Sequence, residues 1–185
     1  GIPFNDSDVY KVIEGAAYVL AMQPDPKLDA YRDGVIAKIA ASQEPDGYLY
    51  TARRLCAPDK IPAMSGKERW SNLGHSHELY NVGHLYEAAV AHYQATGKRN
   101  FLNVATKSAD FLCETFGPGK LQEPPGHEEI EIGLVKLYRA TGRQKYLDLA
   151  KFYVDLRGDE STHKLRGAYQ QDDVPILKQE QAVGH

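Results

Sequence analysis

The chain has 185 residues, with 22 Lys and Arg against 25 Asp and Glu, a net charge of −3 and no long run of either sign. That length accommodates one domain with a sizeable core, and the mixed charge argues against a nucleic-acid partner or a membrane surface. No apolar stretch approaches the roughly 20 residues that span a bilayer, and Cys56 and Cys113 form neither a metal motif nor a disulfide framework.

Helix signals dominate in chain order. Asp6 or Ser7 is placed to cap a helix running to about Met22. Asp25 followed by Pro26 is an N-cap and first-turn pair, opening a helix to about Ser42. The stretch QEPDGYLYTA, 43–52, reads as a turn followed by an extended segment, with at most short strands near 48–51. After a loop rich in Pro, Lys and Arg, helices are predicted over 76–96, 99–116, 127–141 and 143–157, ended by Gly97, Gly117, Gly142 and Gly158. That makes six main helices, with loop from 159 to 175 and the beginnings of a helix after Pro175. The chain opens at Gly1, and the closing QEQAVGH reads as the first residues of a helix. A piece of a longer protein is therefore expected, and compartment is left open.

An internal repeat organises the second half. YQATGKRNFLNVA, 93–105, aligns with YRATGRQKYLDLA, 138–150, at an offset of 45. Each unit is helix, glycine turn, helix, and stacked hairpins make a solenoid or a closed ring. The helix HELYNVGHLYEAAVAHYQATG, 77–97, bears on this choice. Leu79, Val82, Tyr86, Ala89 and Tyr93 form one apolar face, whereas His77, Tyr80, His84 and Glu87 form a second stripe. A solenoid helix needs one buried face, while an inner helix of a ring also lines the central cavity, so the double stripe favours the ring.

Three constellations carry candidate chemistry. The stripe with Tyr80 and His84 suits either ligand contact or core histidines paired to backbone or tyrosine. As a metal motif it is weak: HELYN lacks the second histidine of H-E-x-x-H, and His75 with His77 lacks an evident third ligand. In PPGHEEIEIG, 124–133, His127 is placed in a first helical turn, where the positive helix end disfavours imidazolium. A neutral imidazole can donate to and accept from hydroxyls. Glu128, Glu129 and Glu131 suit the same helix end, and 128 and 131 are placed on one face. Asp46, in the turn Asp46-Gly47, is either a turn former or a group at the mouth of the ring.

FNDSDVYKVIEGAAYVL, AASQEPDGYLYT, HELYNVGHLYEAAVAHYQATG, PGHEEIEIGLVKLYRATG and QEQAVGH occur in that order. Together they resemble the N-terminal part of the family 127 glycoside hydrolases, β-L-arabinofuranosidases and relatives. The resemblance covers nearly the whole chain. It implies an all-α fold in which residues 1–185 form part of an (α/α)6 barrel, and a retaining hydrolase that removes β-L-arabinofuranose from glycans. It implies sugar contacts at His84, His127 and His185, with Tyr80 and Asp46 as further candidates. The family's acid/base glutamate and zinc-bound cysteine cluster are expected beyond residue 185. No catalytic residue, metal ligand or cofactor is therefore assigned here, and this stretch alone is expected to be inert. Asp173 stands where the family tends to carry a histidine. The alternatives are a helical-repeat scaffold that binds a protein, or another (α/α)6 sugar enzyme such as an epimerase or an unsaturated-uronide hydrolase. An uncovered ring face should expose apolar side chains and favour self-association or pairing with a missing C-terminal part.

Overall fold

The computed structural model describes residues 2–184. His185 and its expected sugar contact lie outside the described residues. The six main helices are α1 (Asn5–Met22), α2 (Pro26–Ser42), α5 (Glu78–Thr96), α6 (Asn100–Thr115), α7 (Ile130–Thr141) and α8 (Gln144–Leu156), with two single-turn helices, α3 (Thr51–Arg54) and α4 (Leu73–Ser76). Among the described residues there is no strand, only two isolated bridges. The segment Tyr48–Tyr50 is buried but unpaired and runs straight into α3.

The helices form two rows. α5 packs between α1 and α7, and α6 packs between α2 and α8. Consecutive main helices pair as hairpins joining the rows, which is the arrangement expected of stacked helical hairpins. α5, in the middle, is enclosed on most sides: Leu79, Val82, Leu85, Tyr86, Ala88 and Ala89 are at most 3% exposed. The residues left half-exposed on its first turns are Tyr80, His84 and Glu87, so the second stripe is a real feature of the folded helix. The repeat is also structural. Gly97 and Gly142 both end their helices in the left-handed conformation, at φ 72° and 70°, which costs little without a Cβ.

Several helix starts differ from the sequence reading. Asp25 does cap α2, accepting from Lys27 N at 2.9 Å and Leu28 N at 3.2 Å. Asp6 and Ser7 do not cap α1, which already begins at Asn5. Ser7 Oγ donates back to Phe4 O at 2.8 Å, and the buried Asp6 carboxylate instead accepts from Thr51 N at 2.8 Å and from Thr51 Oγ1. A residue that resembles a local cap thus tethers α3 to α1. His77 lies outside α5 in a left-handed conformation at φ 60°, as a hinge between α4 and α5. α7 starts three residues later than predicted, so His127 and Glu128 belong to the preceding loop. After Pro175 there is only a 3-10 turn, Ile176–Lys178.

The α1–α2 hairpin carries exposed apolar side chains. Val12 and Tyr31 are 72% and 74% exposed, and with Val9 and Val35 they line an apolar groove between the two helices. No described helix is long and apolar enough to cross a membrane.

Two substitutions compare a local signal with the packed core. Asp25→Ala, which removes a cap, is expected to cost ~1 kcal/mol. Leu102→Ala, at a fully buried position of α6, is expected to cost ~2–5 kcal/mol. Chemical denaturation of both variants measures the ratio.

Candidate active site

The site grows from a close helix crossing. A Cβ on Gly83 would lie 2.7–2.9 Å from Glu129 Cγ, C and O, and one on Gly133 would lie 2.6 Å from Gly83 O. Glycine at both positions lets the backbone of α5 reach α7 and the residue before it. That approach brings Glu129 Oε1 to 3.0 Å from His84 Nδ1. Glu87, one turn along α5, offers Oε2 at 3.5 Å from the same nitrogen. Lys136 from α7 pairs with Glu87 and lies 3.5 Å from Glu14 Oε1 of α1. Three helices of one row therefore meet at one polar node.

Burial raises the carboxyl pKa of Glu129, and its hydrogen bond to Glu87 raises it further, to about 9. Burial also works against ionisation of Glu87. The neighbouring His84, Glu129 and above all the Lys136 ammonium outweigh that, holding it near 2. The opposed shifts mean that the pair keeps one proton between them well above the ordinary carboxyl range. Two adjoining carboxylates with little water would otherwise repel strongly.

A ring cluster sits beside this node. Tyr80 lies between the two histidines, 4.7 Å from His84 and 5.2 Å from His127 between ring centroids. His77 closes the group at 4.6 Å from His127, its Nδ1 2.6 Å from His75 O. Lys11 from α1 donates to Tyr80 Oη at 2.8 Å. The left-handed turn that aims His77 is fixed by buried Glu78, which accepts from Tyr48 Oη at 2.6 Å, Ser76 Oγ at 2.7 Å and Trp70 N at 3.2 Å.

Of the residues singled out in the sequence, His84, Tyr80 and His127 converge. His127 reaches the cluster from a loop, not from a first helical turn, so the helix end is not what governs it. Asp46 stands apart: Arg69 binds its carboxylate at 2.6 Å, and Tyr48 N donates to it at 3.0 Å within the turn. These contacts account for it without a ligand. Glu128 also lies ahead of α7, yet it meets Glu131 at Arg157, at 3.1 and 3.4 Å. Asp173 Oδ1 is buried without a hydrogen-bond partner. The sequence reading treated Glu129 as a helix-end charge and missed its contact with His84. A signal was present, since Glu129 follows His84 by the 45-residue repeat offset.

His84, Glu87 and Glu129 are also the residues that could hold a cation, their donor atoms lying within 4.8 Å of one another. Lys136 already supplies positive charge there. Cys56 and Cys113 do not fit a thiolate zinc centre. Neither belongs to a metal-sized donor group among the described residues, and burial pushes the Cys113 thiol up to about 11.

Two rows of stacked hairpins, with a polar and aromatic node on the central helix, define a segment of an α/α barrel. The model of the GH127 catalytic domain, described as β-L-arabinofuranosidase, matches residues 1–185, and the chain belongs to this family. A non-reducing end β-L-arabinofuranosidase of Bifidobacterium longum subsp. longum is 46% identical over 162 residues, 86% of this chain and 24% of the relative. A solved GH127 β-arabinofuranosidase superposes with a TM-score of 0.93 at 52% identity, over 100% of this chain and 29% of its own. A GH127 β-L-arabinofuranosidase from Geobacillus stearothermophilus T6 gives 0.87 at 40% identity, over 100% and 31%. The chain thus spans less than a third of the length of these relatives. The family resemblance read from the motifs holds.

Two variants test the node. Gly83→Ala places a methyl group against the Glu129 backbone and is expected to destabilise by ~1–3 kcal/mol. Glu129→Gln tests the shared proton. In the native chain burial and the neighbouring Glu87 raise the Glu129 pKa to about 9, whereas the unfolded chain ionises it in the ordinary carboxyl range. Native stability attributable to this group is therefore full below that range and declines as pH rises toward about 9. Relative to wild type, the glutamine variant should gain stability between pH ~5 and ~8. Urea titrations at the two pH values give the comparison, and an unchanged difference would refute the shared proton.

Proposed function

We propose that this chain is the N-terminal part of the catalytic barrel of a glycoside hydrolase that releases β-L-arabinofuranose from glycans, and that it supplies part of the sugar pocket. The observation that carries this reading is the convergence of His84, Tyr80 and His127 from separate elements, together with membership of the family. In this reading the two imidazoles hydrogen-bond sugar hydroxyls, and the Tyr80 ring lies between them. His185, by its motif, is a third contact. Asp46 is left out because Arg69 and Tyr48 N already hold its carboxylate.

The pocket residues bind and orient; they do not break the bond. Retaining hydrolysis, the route the family resemblance implies, needs an acid/base and a nucleophile on either side of the glycosidic bond, with catalytic carboxyl groups about 5–5.5 Å apart. Glu87 and Glu129 do not suit those roles, because both carboxyl groups lie within 3.5 Å of one nitrogen, His84 Nδ1, and Glu87 is paired with Lys136. Those two roles belong to residues outside this chain. Zinc, where the family carries it, would sit with thiolates that this chain does not contribute.

In a chain carrying the whole catalytic domain, His84→Ala and His127→Ala are each expected to lower kcat/KM about 10- to 100-fold, matching ~1–3 kcal/mol for an unpaired polar group. Thermal unfolding followed in parallel should be little changed. Full activity in both variants, with an aryl β-L-arabinofuranoside as substrate, would sink the pocket reading.

A further inference from the structure

The start of α1 forms one wall of the ring cluster, and buried contacts set its place. Asn81, fully buried on α5, donates from Nδ2 to Pro3 O at 2.9 Å. Ser7, also buried, donates from Oγ to Phe4 O at 2.8 Å. These bonds seat the start of α1 against the first turns of α5, and the Phe4 ring lies 5.1 Å from that of His77. One turn further along α1, Lys11 reaches across this joint. Its Nζ lies 2.8 Å from Tyr80 Oη and 3.4 Å from Ser7 Oγ. Both hydrogen bonds go to hydroxyls, and among the described residues no carboxylate pairs with Lys11.

The direction of these bonds follows from the chemistry of the groups. An ammonium has hydrogens and no lone pair, so it only donates. Tyr80 Oη therefore accepts from Lys11, and the phenol hydrogen points elsewhere. Among the described residues Tyr80 Oη has no second hydrogen-bond partner. The Tyr80 side chain is half-exposed, between His84 and His127. We infer that Lys11 is a positioning residue of the pocket: by occupying Tyr80 Oη as a donor, it turns the phenol hydrogen toward the open side, where Tyr80 donates to an acceptor oxygen of the bound sugar.

This deepens the pocket reading above and rests on it. The two imidazoles can each donate or accept, whereas Tyr80, held by an ammonium, presents a donor. A hydrogen bond received from a cation also polarises the phenol and strengthens the bond it makes. Tyr80 thus selects a sugar that places a hydroxyl or ring oxygen against it. A sugar with a methylene at that point leaves the donor unpaired and is discriminated against.

Two readouts on a chain carrying the whole catalytic domain test this. The first needs no sugar. Tyrosine labelled with carbon-13 at Cζ reports the hydrogen bonding of each phenol, and Tyr80→Phe assigns the Tyr80 signal by its loss. Lys11→Met should shift that signal, and Lys11→Arg, which still donates, should return it toward wild type. A signal unmoved in Lys11→Met would overturn the inference. The second readout is a double-mutant cycle on an aryl β-L-arabinofuranoside. Lys11→Met and Tyr80→Phe are each expected to lower kcat/KM about 10-fold, mainly through KM, with partial rescue by Lys11→Arg. The double variant should lose no more than Tyr80→Phe alone, since Lys11 acts through that hydroxyl. Additive losses, or full activity in Lys11→Met, would count against the positioning role. Lys11 is exposed, so thermal unfolding of Lys11→Met should match wild type; a lowered midpoint would mark a merely structural residue. A wild-type domain without turnover would refute the proposed function, while the Cζ signal still decides the bond between Lys11 and Tyr80.

Discussion

The close approach of α5 and α7 is the constraint on which the rest of the site depends. Gly83 O lies against Gly133, and Gly83 itself is seated on Glu129. Side chains at these positions would push the helices apart by roughly 1 Å to restore ordinary contact, enough to open the 3.0 Å approach between His84 and Glu129. The glycines weaken helix propensity by roughly 1 kcal/mol each relative to alanine. The enclosing apolar packing of α5 compensates, with Leu79, Val82, Leu85 and Tyr86 buried around the crossing.

Once the helices are that close, electrostatics follow. Glu14, Glu87 and Glu129 bring three carboxyl groups toward one ammonium, Lys136. One cation cannot neutralise three acids, so burial and the neighbouring Glu87 raise the pKa of Glu129. Each member is anchored on a helix or helix start and lies against its neighbour. A pocket that must present ring nitrogens at fixed angles gains from such support, because a small displacement weakens every ligand hydrogen bond.

The loops are braced by contacts of their own. Gly126, just before His127, packs so tightly on Gly74 that a Cβ there would meet Gly74 O at 2.1 Å. Arg166 donates to Pro124 O, and Gln170 Nε2 donates to Gly74 O at 3.0 Å. The 157–173 loop that supplies these groups is held by Asp172, buried and accepting from His163 Nε2 and Gly158 N at 2.9 Å. His127 therefore owes its place to a chain of contacts running from the loop after α8, through the loop before α7, to α4.

Local information carried most of the helical framework. The Asp25-Pro26 cap, the glycines after α5 and α7, the 45-residue repeat and the two stripes of α5 are visible in the chain, because capping and periodicity involve residues within a turn or two of one another. The motif series was specific enough to identify the family. What the sequence did not determine are the relations set by backbones meeting across the fold. Asp6 looks like a cap but binds Thr51, 45 residues away. His77 fits the stripe by spacing but sits in a left-handed hinge. His127 fits a helix start but lies in a loop placed by Gly74 and Arg166. Glu129 looks like a solvated helix-end charge, yet the distance between α5 and α7 makes it a buried carboxyl group 3.0 Å from His84. Hydrogen bonds and shared protons depend on separations of a few ångströms. Those separations are fixed by packing between elements far apart in the chain, and no local pattern encodes them.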